Sequence, residues 1–235
     1  MNLRARPIRI AICPRVRKTP RVSRAERIVL GGVSVAAWIG LLLQADNSFT
    51  IMLGEGLKLS DALIRFFSYF TILTNGFIAI DGTVCALGGD NRWTRSEAHT
   101  SLETCLAVSI FWVAVVFDLL LRGLRHLEGI EILADGLLHT SVPILYLIYW
   151  GVYGSRHKLH WFQAHFWPIY PALYFIYALV QGWRTGLYPY PFIDAAHIGY
   201  ERTLINGGCL LLVFWLGGFV FIALGRLLHP SSRYP

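Results

Sequence analysis

The 235-residue chain is 55% hydrophobic and only 15% charged, with a formal net charge of +7 and a mean hydropathy of +0.51. Soluble domains carry about one-quarter charged residues, so this chain lacks the charge to clothe a water-facing surface, and its long apolar runs point to an integral membrane protein. The basic excess does not indicate nucleic acid. Nine of the 21 Lys and Arg precede Ile28 (Arg4, Arg6, Arg9, Arg15, Arg17, Lys18, Arg21, Arg24 and Arg27), with no stacking motif beside them; a basic run ahead of a first hydrophobic span sets topology and meets anionic lipid.

In chain order, residues 1–26 read as a basic, disordered cytoplasmic tail broken by Pro7, Pro14 and Pro20. Six apolar runs then predict an all-α polytopic bundle over residues 27–228, with a short cytoplasmic tail at 229–235. The spans are expected near 27–45, 62–87, 102–121, 130–149, 166–181 and 204–228, and Asp46 to Asp61 are expected to form a polar loop. With both termini cytoplasmic, 15 Lys and Arg fall inside and 6 outside, the direction of the positive-inside rule, although without the tail the bias vanishes. Cys13, Cys85, Cys105 and Cys209 are far apart and form no CxxC pair, so neither a disulfide framework nor a zinc site is indicated.

Two apolar stretches carry polar groups, which are costly at membrane depth and often functional there. FFSYFTILTNGFIAI holds Thr71, Thr74 and Asn75, and LADGLLHTSVPILYLIYW holds Asp135, His139 and Thr140. On continuous helices entering from the same side, Thr71 and His139 each lie about nine residues in, roughly 13 Å at ~1.5 Å per residue, so the two side chains can meet. Asp135 and His139 are four apart and share a helix face. A hydroxyl, an imidazole and a carboxylate at one depth are the parts of nucleophilic acyl transfer, with Asn75 or Thr74 able to donate to an oxyanion. Asp118 competes with Asp135 as the partner of His139. The same residues also fit a structural reading, in which Thr bonds its own i−4 carbonyl and His and Asp form a buried pair. Asp81 is expected to make an interhelical hydrogen bond or hold a proton or ion. His157, His160 and His165 form a weak metal candidate, and Asp194, His197, Glu201 and Arg202 read as solvated loop charges.

FFSYFTILTN, LLHTSVPILYLIYW and RTGLYPYPFID together resemble the Pr6Pr family of bacterial six-span membrane proteins, over about residues 27–228. That family is related to the animal androgen-induced protein / FAR-17a group, multipass threonine hydrolases that cleave fatty acid esters of hydroxy fatty acids. The resemblance implies Thr71, preceded by aromatic Phe70, as nucleophile and His139, followed by Thr140, as base. Thr74 is the rival alignment for the nucleophile, and Asp135 is not supplied by the family. The expectation is a lipid-ester hydrolase of the cell membrane needing no metal or organic cofactor, with membrane lipid as its surroundings and a lipid ester as substrate. The alternative is a non-enzymatic lipid-binding or transport protein.

Overall fold

The computed structural model describes residues 22–124, 126–154 and 159–230. The basic tail through Arg21, and with it Cys13, lies outside the described residues, as do Arg125, residues 155–158 (His157 included) and residues 231–235. The described residues form an all-α bundle without strands, whose long helices are α1 (Arg24–Gly54), α3 (Phe70–Gly88), α4 (Glu97–Val116), α6 (Val142–Tyr153), α7 (Ile169–Thr185) and α8 (Ala195–Leu228). Shorter helices α2 (Leu59–Phe66) and α5 (Ile130–Gly136) precede α3 and α6. Among the described residues, five passes are long and apolar enough to cross a membrane: Arg24–Gly54, Phe70–Gly88, Glu97–Leu121, Ile130–Tyr153 and Ala195–Leu228.

α1 begins in a capping box, in which the Ser23 hydroxyl accepts from the Glu26 N–H and the Glu26 carboxylate accepts from the Ser23 N–H, both at 3.1 Å. Its 31 residues span about 46 Å, well beyond a ~30 Å hydrocarbon layer. The polar loop expected from Asp46 therefore starts only after Gly54. Hydropathy falls where the helix leaves the apolar layer, but its backbone hydrogen bonds do not depend on lipid and continue. There Asn47 donates to Glu131 at 2.8 Å, tying α1 to α5.

Lipid tails are as apolar as Leu, so burial between membrane helices gains little, and association relies on close packing and interhelical hydrogen bonds. α1 and α3 use both. Ser34 donates to the Ala79 carbonyl at 2.5 Å, and the Trp38 indole donates to Thr83 at 3.0 Å. At Gly82 a Cβ would stand 2.7 Å from Ser34 Cβ and 2.9 Å from the Leu30 carbonyl oxygen, so only glycine permits this approach. Gly82→Ala is expected to lower stability by about 1–3 kcal/mol through overpacking, outweighing a helix-propensity gain of about 1 kcal/mol. Thermal unfolding in detergent measures this; an unchanged midpoint would mean that α1 and α3 part there freely.

The span expected over 62–87 is not one helix. It breaks at Phe67–Tyr69, between α2 and α3. The Ser68 hydroxyl donates back to the Arg65 carbonyl at 2.7 Å, competing with helical bonding. The carbonyls released by the break are taken up by α7: Tyr174 donates to Ser68 O at 2.8 Å and Tyr177 to Ile64 O at 3.4 Å. Irregular backbone at membrane depth persists only with such partners. α7 itself has 17 residues, about 25 Å, short of a full crossing by itself. It is preceded by a 3₁₀ turn, Trp161–His165, whose flanking segment runs along α8. Arg226 donates to the Leu159 carbonyl at 2.8 Å, Ala164 and Trp167 pack on Gly218, and Trp215 donates to His165 at 3.2 Å. The fourth and last expected spans lengthen to Ile130–Tyr153 and Ala195–Leu228, the latter kinked at Gly199 (φ 79°).

Candidate active site

Because the helix breaks at Tyr69, Thr71 is the second residue of α3 rather than a residue nine positions into a continuous helix. Tyr69 caps α3 with its backbone extended (φ −90°, ψ 127°) and makes no side-chain cap. The first intrahelical bond runs from the Leu73 N–H to the Tyr69 carbonyl. The N–H groups of Phe70, Thr71 and Ile72 therefore lack intrahelical acceptors, and they lie at the positive end of the helix dipole. Thr71 itself is buried, 8% exposed.

His139 lies in a π turn, Leu137–Ser141, between α5 and α6. Pro143 explains the turn. A proline has no N–H to give and its ring crowds the carbonyl four residues back, which here is that of His139. The helix widens by one residue, and the Val142 N–H bonds Leu137 O. Such bulges recur at functional sites because they re-aim a side chain. The His139 Nε2 lies 3.3 Å from Thr71 Oγ1. Its Nδ1 lies 3.0 Å from Asp135 Oδ1. That second approach is off the line of the N–H, so it is an electrostatic contact without an aligned hydrogen bond. A carboxylate beside Nδ1 favours the proton there, leaving the Nε2 lone pair for the threonine hydroxyl. Phe117, in a second π turn (Phe117–Leu121) ending α4, stacks on the imidazole with ring centres 3.8 Å apart and planes 13° from parallel.

The remaining candidates separate. Thr74 turns to α7, its hydroxyl 3.0 Å from that of Tyr170, and does not join Thr71. Asn75 is not aimed at a reacting oxygen: its amide donates to Thr71 O at 2.9 Å within α3 and to Leu138 O at 3.2 Å, the second bond holding α3 against the π turn. Asp118 pairs with Arg122, with Nε to Oδ1 at 2.6 Å, and is exposed, so Asp135 and not Asp118 faces His139. Asp81 makes an interhelical hydrogen bond, 2.9 Å to His99 Nε2. His165 accepts from Trp215, and His160 caps its own 3₁₀ turn, so neither side chain is held for a metal. Asp194 caps α8 and pairs with the exposed His197.

One residue escaped the sequence reading. Tyr190, from the loop after α7, reaches the Thr71 side chain and the backbone N–H groups of Thr71 and Phe70. Burial pushes its hydroxyl above the usual phenol range, against the pull of those hydrogen bonds. It therefore stays protonated and able to donate. The signal was the YPYPF stretch, legible as a motif but not as a group placed over the start of α3. Beside Thr71 lies a cavity of about 100 Å³. Its walls are almost wholly apolar, with Trp112, Phe175, Leu211 and Phe214 among them, and Thr71 and Tyr190 are its polar edge.

No family model matches the chain, and no curated protein or solved structure matches it. The fold and site define an all-α membrane bundle in which a Thr–His–Asp constellation opens on an apolar cavity.

Proposed function

We propose that the protein is a lipid-ester hydrolase of the cell membrane, the function implied by its resemblance to the Pr6Pr family and the threonine hydrolases related to it. The observation that carries this reading is the chain of contacts from Thr71 Oγ1 through Nε2 and Nδ1 of His139 to Asp135, at 3.3 and 3.0 Å. The Thr71 oxygen attacks the ester carbonyl as its proton passes to Nε2. Asp135 steadies the imidazolium, which then returns the proton to the departing alkoxide. Water, deprotonated by the same nitrogen, cleaves the acyl-threonine and releases the fatty acid. The Tyr190 hydroxyl, held over Thr71 by the N–H groups of Phe70 and Thr71, is the donor nearest the oxyanion, the role first expected of Asn75 or Thr74. The acyl chain lies in the apolar cavity, reached laterally through the bilayer.

In this reading the chain crosses six times with both termini cytoplasmic, the 159–168 segment and α7 making one pass together. A lipid-binding or transport protein would use the same cavity but has no need of an imidazole held between a hydroxyl and a carboxylate. Labelling of the detergent-solubilised chain with a fluorophosphonate probe tests the proposal. Labelling dependent on Thr71 and His139 but not Thr74 is expected; an unlabelled, folded wild type would turn the assignment to the binding protein.

The cavity makes a separate prediction. Leu211→Trp narrows the cavity and leaves Thr71 and His139 unaltered, and is expected to lower turnover of long-chain esters about tenfold while sparing acetyl esters, since a buried methylene is worth roughly 1–3 kcal/mol in discrimination. Parallel kinetics on acetyl and palmitoyl esters measure this. Equal losses on both would place the acyl chain elsewhere.

A further inference from the structure

A second polar cluster lies toward the opposite ends of the same helices, between the last turns of α3 and the first turns of α4. Asp81 and Cys85 stand four apart on α3, and His99 and Glu103 four apart on α4, so each pair presents two side chains on one face. All four are buried: His99 and Glu103 are 0% exposed, Cys85 1% and Asp81 7%. His99 Nε2 lies 2.9 Å from Asp81 Oδ1 and 3.4 Å from Cys85 Sγ. The three ligand atoms are all within 4.8 Å of one another. On the other side of the ring, Nδ1 faces Glu103 Oε2 at 3.7 Å. Glu103 is oriented in turn by the Tyr149 hydroxyl, which donates to its Oε1 at 2.6 Å.

One ring nitrogen thus faces both a carboxylate oxygen and a sulfur, the spacing of three ligands around a shared ion. Asp81 Oδ2 is buried and has no hydrogen-bond partner. An orphan carboxylate oxygen beside an imidazole and a thiol is where an ion is to be sought, because such an oxygen is otherwise costly.

We propose that Asp81, Cys85 and His99 Nε2 bind a divalent transition-metal ion, zinc by preference, with Glu103 and Tyr149 orienting His99 from behind. The donor set is one that zinc takes: a thiolate at ~2.3 Å, an imidazole nitrogen at ~2.0–2.1 Å and a carboxylate oxygen at ~2.0–2.2 Å. Those bond lengths in a tetrahedron separate the ligand atoms by roughly 3.3–3.8 Å, so small side-chain adjustments suffice. Hard cations such as Mg²⁺ and Ca²⁺ are disfavoured by the sulfur. A carboxylate behind the ligating histidine fixes the ring orientation and makes Nε2 the better donor. The ion clamps α3 to α4 under the 89–96 connection, and the site is independent of the hydrolase reading.

The test uses the full chain in detergent. Zinc per chain is counted by elemental mass spectrometry after dialysis against a weak competing chelator, and Co²⁺ is then exchanged in as a spectroscopic probe. One ion per chain and a thiolate-to-cobalt charge-transfer absorption are expected. The absorption is lost in Cys85→Ser, and Asp81→Asn weakens zinc by about tenfold or more. Glu103→Gln leaves all three ligands in place and weakens zinc about 10–100-fold, the usual effect of losing such a partner. Thr71→Ala binds as the wild type does. Cys85→Ala, a small apolar replacement, serves with a size-exclusion profile to separate loss of a ligand from loss of fold. Zinc far below one per chain in the folded wild type overturns the proposal. So does cobalt binding of unchanged affinity in a folded Cys85→Ser, His99→Asn double variant, since the ion would then be held elsewhere.

Discussion

Thr71→Ala is expected to reduce ester hydrolysis by about 10⁴-fold or more, with the protein still folded. The variant removes the hydroxyl that lies 3.3 Å from His139 Nε2, and Thr74 does not replace it, being turned to Tyr170 at 3.0 Å. The stability cost is small. Among the described residues the lost hydroxyl bonds His139 and Tyr190, and the site is not part of the close α1–α3 packing. Thr71→Ser keeps the nucleophile and should retain measurable turnover, while Thr74→Ala should behave like the wild type apart from modest destabilisation. Initial rates on a fluorogenic fatty-acyl ester, with a size-exclusion check on each variant, measure the set. If Thr71→Ala hydrolysed at the wild-type rate, the hydrolase assignment would be lost.

Asp135→Asn is expected to lower kcat by about 10²- to 10⁴-fold with little change in KM, the pattern of a group that acts through the base and not on the substrate. The amide is isosteric with the carboxylate and keeps the α5 turn packed. However, it carries no charge beside Nδ1, and it allows the ring proton to settle on Nε2, where it blocks deprotonation of Thr71. His139→Ala should cost at least as much. In the proposed mechanism Thr71 and His139 act as a unit, so the double variant should be no slower than the worse single one. Losses that multiply in the double variant would mean that the two residues work separately. Asp118→Asn supplies the contrast: its carboxylate is exposed and paired with Arg122, so turnover should hardly change.

The π turn that carries His139 was half legible. Pro143 stands in the sequence four residues after His139, and the physics of a proline in a helix puts the disturbance at the histidine carbonyl. That the helix widened into a π turn instead of kinking followed from its neighbours: Asn75 bonds the Leu138 carbonyl from α3, and Phe117 stacks on the ring from α4. The α2–α3 break was not legible at all. FFSYFTILTN has the composition of continuous helix, and the break is stabilised by Tyr174 and Tyr177, more than 100 residues away. The pairing of Thr71 with His139 was therefore anticipated on an incomplete ground. Equal depth on unbroken helices suggested it, whereas the structure obtains it by starting α3 opposite the π turn.

The sequence by itself determined the membrane class, the all-α architecture and the neighbourhood of Asp135 and His139, because hydropathy and four-residue spacing act locally along one chain segment. Only the tertiary structure decided which hydroxyl faces the imidazole, that Asn75 braces backbone rather than meeting a reacting oxygen, and that Tyr190 closes over Thr71. It also brought Cys85 to His99, although the cysteines are scattered and show no metal-binding spacing along the chain. The physical reason is common to all of these. At membrane depth a polar atom has no water to fall back on, so its partner is whatever the packed helices bring within about 3 Å, and that partner is chosen by the fold rather than by its distance along the chain.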